Sequence, residues 1–193
     1  MKKTFLIILL SGIFTSLSFA QYSAVMADHS FRYVATPGFV NVTELNGALG
    51  LEDEESVNSK YYFGLINIFG YQIDRNFFGG IGAGFLHYDE GNLFPVFLEY
   101  KFSMYLKRFS PYFYADGGSL MHPTEFFDES KIFINPGVGF SRALSSRIEI
   151  NLSAGYMIQA RTTLTRVTFV NFKLGVIFRK NAFRMFRNEK TTL

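Results

Sequence analysis

The sequence predicts an all-β fold, and three observations support this prediction. Turn signals recur at short intervals along the chain, for example DRN at 74–76 and SS at 145–146. The segments between these turns are rich in Phe, Tyr, Val and Ile, the residue types that favour strands. Helix caps followed by apolar stripes with a 3.6-residue period are not evident.

Eight segments are predicted as strands, and all of them are long. They span 38–51, 60–73, 77–88, 93–106, 110–121, 131–144, 147–160 and 166–179. A strand of a soluble protein commonly has about 5–6 residues, whereas a tilted strand crosses a bilayer with about 9–11. The lengths therefore favour strands that span a membrane.

The early strands and the sixth alternate only weakly between polar and apolar residues. In the first strand Glu44 and Asn46 mark one face, and in the second we assign Asn67 to the corresponding face. The third and sixth strands instead carry glycines at a single parity, namely Gly80, Gly82, Gly84, Gly137 and Gly139.

The fourth, seventh and eighth strands alternate clearly. In the fourth strand Glu99 and Lys101 share one face, and in the seventh Glu149 and Asn151 do so. In the eighth strand Lys173 lies opposite an apolar face formed by Val170, Phe172, Leu174, Val176 and Phe178. Such an alternation indicates that each strand has one face in an apolar environment and one in a polar environment.

The connections between the strands alternate in length. Those after the second, fourth and sixth strands are short, whereas those after the first, third, fifth and seventh are mostly longer and more polar, as in EDEESVNS and HPTEFFDES. This asymmetry predicts an eight-stranded antiparallel up-and-down transmembrane β-barrel, with tight turns in the periplasm and longer loops outside.

Two barrels fit an apolar/polar alternation. In a lipocalin-like soluble carrier the apolar faces point inward, and in a membrane barrel they point to lipid. The apolar faces here carry bulky residues at nearly every position, the other faces are short and mixed, and charged residues make up only 18% of the chain. We therefore expect the apolar face of the last strand to contact lipid and Lys173 to meet an acidic partner inside.

Charged residues on the inward faces predict a paired network in the lumen. Its expected members are Glu44, Glu99, Lys101, Asp116, Glu149 and Lys173. An eight-stranded barrel has just enough room for side chains, so inward glycines should make space for the long Glu and Lys side chains. Unpaired charges would be costly in such an interior, and we interpret the network as structural filling.

Aromatic and proline residues lead to two further expectations. Aromatic residues near strand ends suit the membrane interface, and this set comprises Tyr61, Tyr62, Phe63, Phe77, Phe78, Tyr105, Phe109 and Tyr112. Proline removes a donor from the ladder. We therefore expect Pro95 near the outer rim of the barrel and Pro136 at a bulge.

The two ends of the chain differ from the predicted barrel. Residues 1–20 have the charged start, the apolar run and the small-x-small site of a secretory signal peptide, and 21–37 would form an N-terminal periplasmic segment. The barrel would span 38–179. Residues 180–193 form a basic tail on the periplasmic side, for which an amphipathic turn and a lack of order both stay open.

Composition and charge exclude several classes of site. The chain has no cysteine, which excludes disulfides and thiolate metal sites. The segment after Phe178 carries +4, whereas 21–178 carries −3. The basic end predicts contact with anionic headgroups or an acidic envelope protein, and without a basic patch in the body no nucleic acid is expected.

Several motifs resemble the small outer-membrane β-barrels of the OmpA/OmpX superfamily, in the form common in Gram-negative bacteria of the Bacteroidota type. They are GYQIDRNFFGGIGAGF, RFSPYFYADGG, INPGVGF, IEINLSAGYMIQ and the FKLGVIF finish. The resemblance implies outer-membrane lipid, lipopolysaccharide and the barrel-assembly machinery as partners. It also implies an assembly signal made of Lys173, Gly175 and Phe178.

Catalysis has two weak candidate centres near the rim. Some barrels of this kind modify lipid A, which requires a nucleophile, a base and an orienting group. His87 lies beside Asp89 and Glu90, and His122 lies near Ser119 and Glu125, but a His-x-Ser motif is missing.

We therefore predict no enzyme activity and no cofactor. The predicted function is a structural, docking or adhesion role in the bacterial envelope. A lipid A-modifying enzyme and a lipocalin-like carrier are the alternatives.

Overall fold

A computed structural model describes residues 32–51, 59–89, 91–104, 109–122, 130–160, 166–181 and 184–186. The strands are β1 (Arg32–Val34), β2 (Gly38–Gly50), β3 (Tyr61–Gln72), β4 (Phe77–Tyr88), β5 (Gly91–Ser103), β6 (Ser110–Met121), β7 (Lys131–Ala143), β8 (Ile148–Ala160), β9 (Arg166–Arg179) and β10 (Arg184–Phe186). Among these residues, no helix is long and apolar enough to cross a membrane. The predicted signal peptide lies outside the described residues.

Strands β2 to β9 form a closed barrel in sequence order. Each strand is antiparallel to the next, and β9 closes the barrel against β2 with Val40 opposite Arg179 and Gly50 opposite Phe169. The predicted eight-stranded up-and-down barrel is confirmed, and the ends of its strands differ from the prediction by at most three residues.

Short turns join β3 to β4 and β7 to β8 at the end of the barrel where β2 begins and β9 stops, which we call the turn end. In the first turn Asp74 Oδ1 accepts the backbone N–H groups of Asn76 at 2.7 Å and Phe77 at 2.9 Å. These two bonds, led by that of Phe77, hold the pKa of the Asp74 carboxyl below its usual value. The opposite end, with the β2–β3, β4–β5, β6–β7 and β8–β9 connections, is the loop end, and its β4–β5 connection has only two residues.

The outer wall is apolar and the lumen is filled. Phe172, Leu174 and Phe178 lie exposed on the outer face of β9, as predicted. Val170 and Val176 lie on the same face and are half-buried. Alternate residues of every barrel strand point into the lumen, and most of the aliphatic and aromatic ones among them form a buried core cluster.

Four side chains lie on faces other than those the sequence predicted. Asn67 faces outward, because the apolar residues on both faces of β3 left the parity of that strand undetermined. Tyr62, Phe78 and Tyr112 were expected at the membrane interface, but they point into the lumen and are at most 4% exposed. Their neighbours Tyr61, Phe63 and Phe77 do lie on the outer face.

The prolines are accommodated without an extra residue. Between β7 and β8 the ladder pairs Ile134 with Ile158 and resumes at Gly137 with Gly155, so the register is the same on both sides of Pro136. The expected bulge is therefore wrong, and the ladder simply omits two pairs. Pro95 lies near the loop end, where the ladder between β4 and β5 omits two pairs in the same way.

The two three-residue strands form a small sheet separate from the barrel. β1 and β10 pair antiparallel, with Arg32 opposite Phe186 and Val34 opposite Arg184. The sequence did not predict this pairing, because segments this short carry almost no periodic signal. It joins the backbone just before the barrel to the tail that follows it.

Candidate functional site

The lumen contains a buried ion cluster centred on Lys173 of β9. Its Nζ lies 2.6 Å from Asp116 Oδ2 on β6 and 3.7 Å from Glu44 Oε2 on β2. The ring of Tyr114 covers the ammonium, with its centroid 4.3 Å from Nζ. Lys173 therefore points into the lumen, and Asp116 is its nearest acidic partner.

Amide side chains hold the two carboxylates of this cluster in place. Asn151 Nδ2 donates to Glu44 Oε1 at 2.6 Å, and Asn135 Nδ2 donates to Asp116 Oδ2 at 3.0 Å. Hydrogen bonds to a carboxylate are stronger than bonds between neutral groups. The amides therefore offset part of the free energy lost when the carboxylates leave water.

A second ion pair joins two residues of the same strand. Lys101 Nζ lies 3.0 Å from Glu99 Oε1 on β5. Two inward aromatic rings face the ammonium, with centroids 4.8 Å away for Tyr112 and 5.5 Å away for Phe78. The rings that were expected at the membrane interface thus provide cation–π contacts inside the barrel.

A third ion pair closes the turn end of the lumen. Arg179 donates to Glu149 Oε2 from Nη2 at 2.9 Å and from Nε at 3.3 Å, and to Gln72 Oε1 from Nη1 at 2.8 Å. Gln72 in turn donates to the backbone carbonyls of Asp74 and Phe77. The last barrel strand is therefore connected to the β3–β4 turn.

Arg179 was missing from the predicted network, because the sequence analysis counted it with the basic tail. Its parity could have identified it, since it continues the inward series of Lys173, Gly175 and Ile177. With Arg179 inside the barrel, the charge after it falls to +3, from four cations and Glu189.

All six predicted lumen residues are buried, and the ion pairs that they form fall into three groups. Glu44, Asp116 and Lys173 form one group, Glu99 and Lys101 a second, and Glu149 pairs with Arg179. A buried ion pair adds little net stability, whereas the loss of one partner is strongly destabilising. The clusters therefore fix how the strands meet across the lumen.

Aromatic side chains fill the lumen nearer the loop end. The Tyr62 ring lies 4.9 Å from Tyr88 and 5.3 Å from Phe169, centroid to centroid. Gln159 Nε2 donates to the Tyr88 hydroxyl at 2.8 Å, and Asn171 Nδ2 donates to the Tyr62 hydroxyl at 3.3 Å. This layer lies above the ion clusters and covers them.

The sequence analysis expected the inward glycines to make room for Glu and Lys side chains. In the structure they mostly make room for aromatic rings. A Cβ at Gly82 would lie 2.7 Å from Phe97 Cε1, and one at Gly139 would meet Tyr112. Gly175 is the exception that fits the expectation, because its Cβ would lie 2.7 Å from Glu44 Cγ. Rings of this size fit into so narrow a barrel only beside residues without side chains.

The predicted assembly-signal residues lie on different faces of β9. Lys173 and Gly175 point into the lumen, and Phe178 lies half-exposed on the outer wall near the turn end. Only Phe178 presents its side chain on the outer surface of the folded barrel.

Of the two candidate catalytic histidines, His87 has an amide oxygen rather than a carboxylate at Nδ1. His87 Nδ1 lies 2.7 Å from Asn92 Oδ1, while Asp89 accepts the backbone N–H of Lys60 at 3.0 Å. This bond lowers the pKa of the Asp89 carboxyl. Ser119 Oγ donates to the backbone carbonyl of Lys131 at 3.5 Å, and Glu90 and Glu125 lie outside the described residues.

Metal binding has no support from the same part of the chain. The described residues contain no group of three or more His, Cys, Asp or Glu side chains that could hold a metal ion.

The fold and the filled lumen define an eight-stranded barrel of the outer-membrane type. No family model matches the chain, and no curated protein does. The chain is similar in structure to Neisserial surface protein A, with 17% identity and a TM-score of 0.56 over 74% of this chain and 97% of that one. It is also similar to the outer membrane protein OprG from Pseudomonas aeruginosa, with 9% identity and a TM-score of 0.54 over 78% of this chain and 99% of that one. At these identities the likeness is one of fold alone.

Proposed function

We propose that the protein is a non-enzymatic integral barrel of the bacterial outer membrane, with a structural and docking role in the envelope. The observation that carries the proposal is the inversion of its faces. Charged residues fill the lumen, whereas the outer wall presents large apolar side chains such as Phe69 (70% exposed), Leu152 (58%) and Leu174 (55%). An apolar band of this extent is stable in hydrocarbon and would aggregate in water.

The barrel is closed to the passage of solutes. The ion clusters and the aromatic layer above them fill the lumen, as expected for eight strands. Lys173, Glu44 and Phe169 are each at most 2% exposed. These features support an anchoring role rather than conduction or the transport of a ligand.

The turn end faces the periplasm in this proposal, and the loop end faces the outside. An even number of strands returns the chain to the side where it began, and export would depend on the predicted signal peptide at 1–20. Lipopolysaccharide and other lipids would contact the outer wall, and the barrel-assembly machinery would recognise Phe178. The tail from Lys180 would contact an acidic envelope protein or anionic headgroups through its charge.

The contacts of His87 and Ser119 support the absence of enzyme activity. A hydrolytic triad needs its histidine oriented by a third group. His87 meets an amide oxygen, and Ser119 donates its hydroxyl to the backbone. Overexpression should therefore leave lipid A unchanged, and a change that disappears in His87→Ala or His122→Ala would overturn this part of the proposal.

Cell fractionation tests the membrane assignment. The full chain should be recovered with outer membranes, should need detergent for extraction and should migrate anomalously on gels when unheated. Recovery from the soluble periplasm without detergent would contradict the proposal. Planar-bilayer recordings test closure, because stable conductance steps from the purified protein would show an open lumen.

Truncation of the tail tests docking. A chain that ends at Asn181 keeps the Arg179–Glu149 pair and the bond from Asn181 Nδ2 to the Pro37 carbonyl. It should assemble like the full chain but lose any envelope protein that co-purifies in mild detergent. Equal recovery of that partner by both chains would place docking elsewhere.

A further inference from the structure

One part of the outer wall is polar where lipid is expected. Asn41 and Thr43 of β2 and Asn67 of β3 point outward and are half-buried. Asn41 Nδ2 donates to Asn67 Oδ1 at 2.8 Å, and Asn67 Nδ2 donates to Asn41 Oδ1 at 3.3 Å and to Thr43 Oγ1 at 2.8 Å. We call these three residues the wall cluster.

The strand register fixes the depth of the wall cluster. One step closer to the turn end, Phe39 pairs with Tyr71 as an aromatic contact of 5.3 Å. One step towards the loop end, Leu45 pairs with Leu65, and both are exposed. The wall cluster therefore lies just inside the apolar band, directly above aromatic residues of the kind that mark a membrane interface.

In the wall cluster the side-chain amides of both asparagines donate hydrogen bonds within the protein, but one hydroxyl donor is left without an acceptor among the described residues. Asn41 Nδ2 also donates to the Ile68 carbonyl at 3.4 Å, so both amide groups use their hydrogens. The Thr43 hydroxyl accepts a bond from Asn67 and, within the described part of the chain, donates none. Hydrocarbon has no acceptor for this hydroxyl, whereas the ester carbonyls of a phospholipid would accept a hydrogen bond from it.

A groove of about 340 Å³ runs from Asn41, the wall-cluster residue nearest the turn end, to the turn end. Thr43 lies just beyond the groove, next to Asn41 on the outward face of β2. Asn41 forms its polar base, and its short side chain sits between the larger rings of Phe178 and Phe69, its neighbours in the register. Phe39 and the exposed Lys180 line the groove nearest the turn end, where Lys180 Nζ lies 5.9 Å from the Phe39 ring centroid. The groove thus combines aromatic walls, a polar base and one cation.

We propose that this groove binds one glycerophospholipid of the leaflet at the turn end. The phosphate pairs with Lys180, an ester carbonyl accepts the Thr43 hydroxyl, and the start of an acyl chain lies between Phe69 and Phe178. The inference rests on the proposed membrane location, since it needs the apolar band to lie in a bilayer.

Charge favours a lipid over a second copy of the chain at this surface. A two-fold axis between neighbouring barrels would run along the membrane normal, so residues at the same depth would face each other. Lys180 would then approach Lys180 of the other copy, which is unfavourable for like charges. A phosphate diester complements the same cation.

Native mass spectrometry of the full chain in mixed micelles tests the site, with palmitoyl-oleoyl phosphatidylglycerol and phosphatidylethanolamine as probes. The wild-type protein should retain one phospholipid. Thr43→Val removes the free donor at constant shape, together with the acceptor of the bond from Asn67 Nδ2. Lys180→Gln removes the cation. Each should weaken retention about tenfold, the ratio expected for the loss of one hydrogen bond to a polar or charged partner.

Two matched variants control for general effects. Thr168→Val removes an outward threonine hydroxyl near the loop end, and Arg147→Gln removes an exposed cation in the β7–β8 turn. Both should retain lipid like the wild-type protein.

Three results would overturn the lipid site. They are equal retention by all variants, equal losses in the controls, and a wild-type dimer that Thr43→Val dissociates, which would assign the surface to a second copy. Failure of the membrane assignment itself would be seen separately, as recovery of the protein without detergent.

Discussion

Two walls of the same lumen are built in opposite ways. The inward face of β8 and β9 carries Glu149, Asn151, Lys173 and Arg179, whereas that of β3 and β4 carries mainly Ile66, Ile68, Leu86 and glycines. From the β8–β9 wall Lys173 reaches Asp116 of β6 and Arg179 reaches Gln72 of β3, while Glu149 pairs with Arg179 within the wall. The β3–β4 wall makes room for the side chains that arrive.

The difference shows that the two walls depend on different physical terms. On the β8–β9 wall Lys173 meets its partners from β2 and β6 only when the barrel is closed. The free energy of these ion pairs therefore contributes to closure of the barrel. On the β3–β4 wall Gly82 meets the ring of Phe97, so the volume of side chains decides stability. Loss of a charge should therefore act mainly on the β8–β9 wall, whereas the β3–β4 wall should respond to a change in side-chain volume.

The largest expected effect is the loss of the central cation. Lys173→Met leaves Asp116 and Glu44 buried without a counter-charge, and such a loss destabilises by about 3–5 kcal/mol. Urea unfolding of the protein in detergent micelles, followed by the heat-dependent gel shift, measures this change. The double variant Lys173→Met/Asp116→Asn should regain part of the loss, and a single variant as stable as the wild-type protein would show that the pair is not needed.

The outer face of the β8–β9 wall should respond almost as strongly. Leu174→Arg and Leu152→Arg place a charge in the middle of the lipid-facing wall, where it destabilises by about 2–4 kcal/mol. The folded fraction recovered in outer membranes should fall. Leu174→Ile is the matched control and should insert normally. Normal insertion of both arginine variants would show that the lipid-facing and lumen-facing sides have been assigned the wrong way round.

The β3–β4 wall should respond to volume instead. A Cβ at Gly82 would lie 2.7 Å from two atoms of the Phe97 ring, so Gly82→Val should destabilise by about 1–3 kcal/mol through overpacking. Phe97→Leu in the same chain should relieve the clash. Gly117→Ala is the control, because a Cβ there would meet nothing within 4 Å.

The smallest effect lies outside both walls, in the β3–β4 turn. Because backbone donors lower the pKa of the Asp74 carboxyl below 3.8, its contribution to stability is complete above that pH and is lost as the pH falls through the folded-state value. Asp74→Asn should therefore be slightly less stable at neutral pH, and the difference should shrink in acid. For Arg75→Gln, in the same turn, the difference in stability from the wild-type protein should not depend on pH in this way. If the difference for Asp74→Asn stays constant as the pH falls, the Asp74 carboxylate does not stabilise the turn.

The contrast between the walls also explains where sequence analysis succeeded. On β5, β8 and β9 the charged residues lie opposite a mainly apolar face, which fixed the parity, and Glu99, Glu149 and Lys173 all lie inside. On β3 both faces are largely apolar, and Asn67 was assigned to the wrong one. From its inward position alone, Asn151→Ser would be expected to have almost no effect on folding. In the structure, however, Asn151 Nδ2 donates a 2.6 Å hydrogen bond to Glu44 Oε1.

The sequence by itself determined the strands, their number, the short turns and the apolar face of the clearest strands, because a period of two and the turn chemistry are local properties of the chain. Only the tertiary structure decided which charges pair, that Arg179 belongs to the lumen, that glycines receive the rings of Phe97 and Tyr112, and that Asn41, Thr43 and Asn67 meet on the outer wall. These contacts join residues far apart in the chain. They depend on the register and closure of eight strands, which no local pattern specifies.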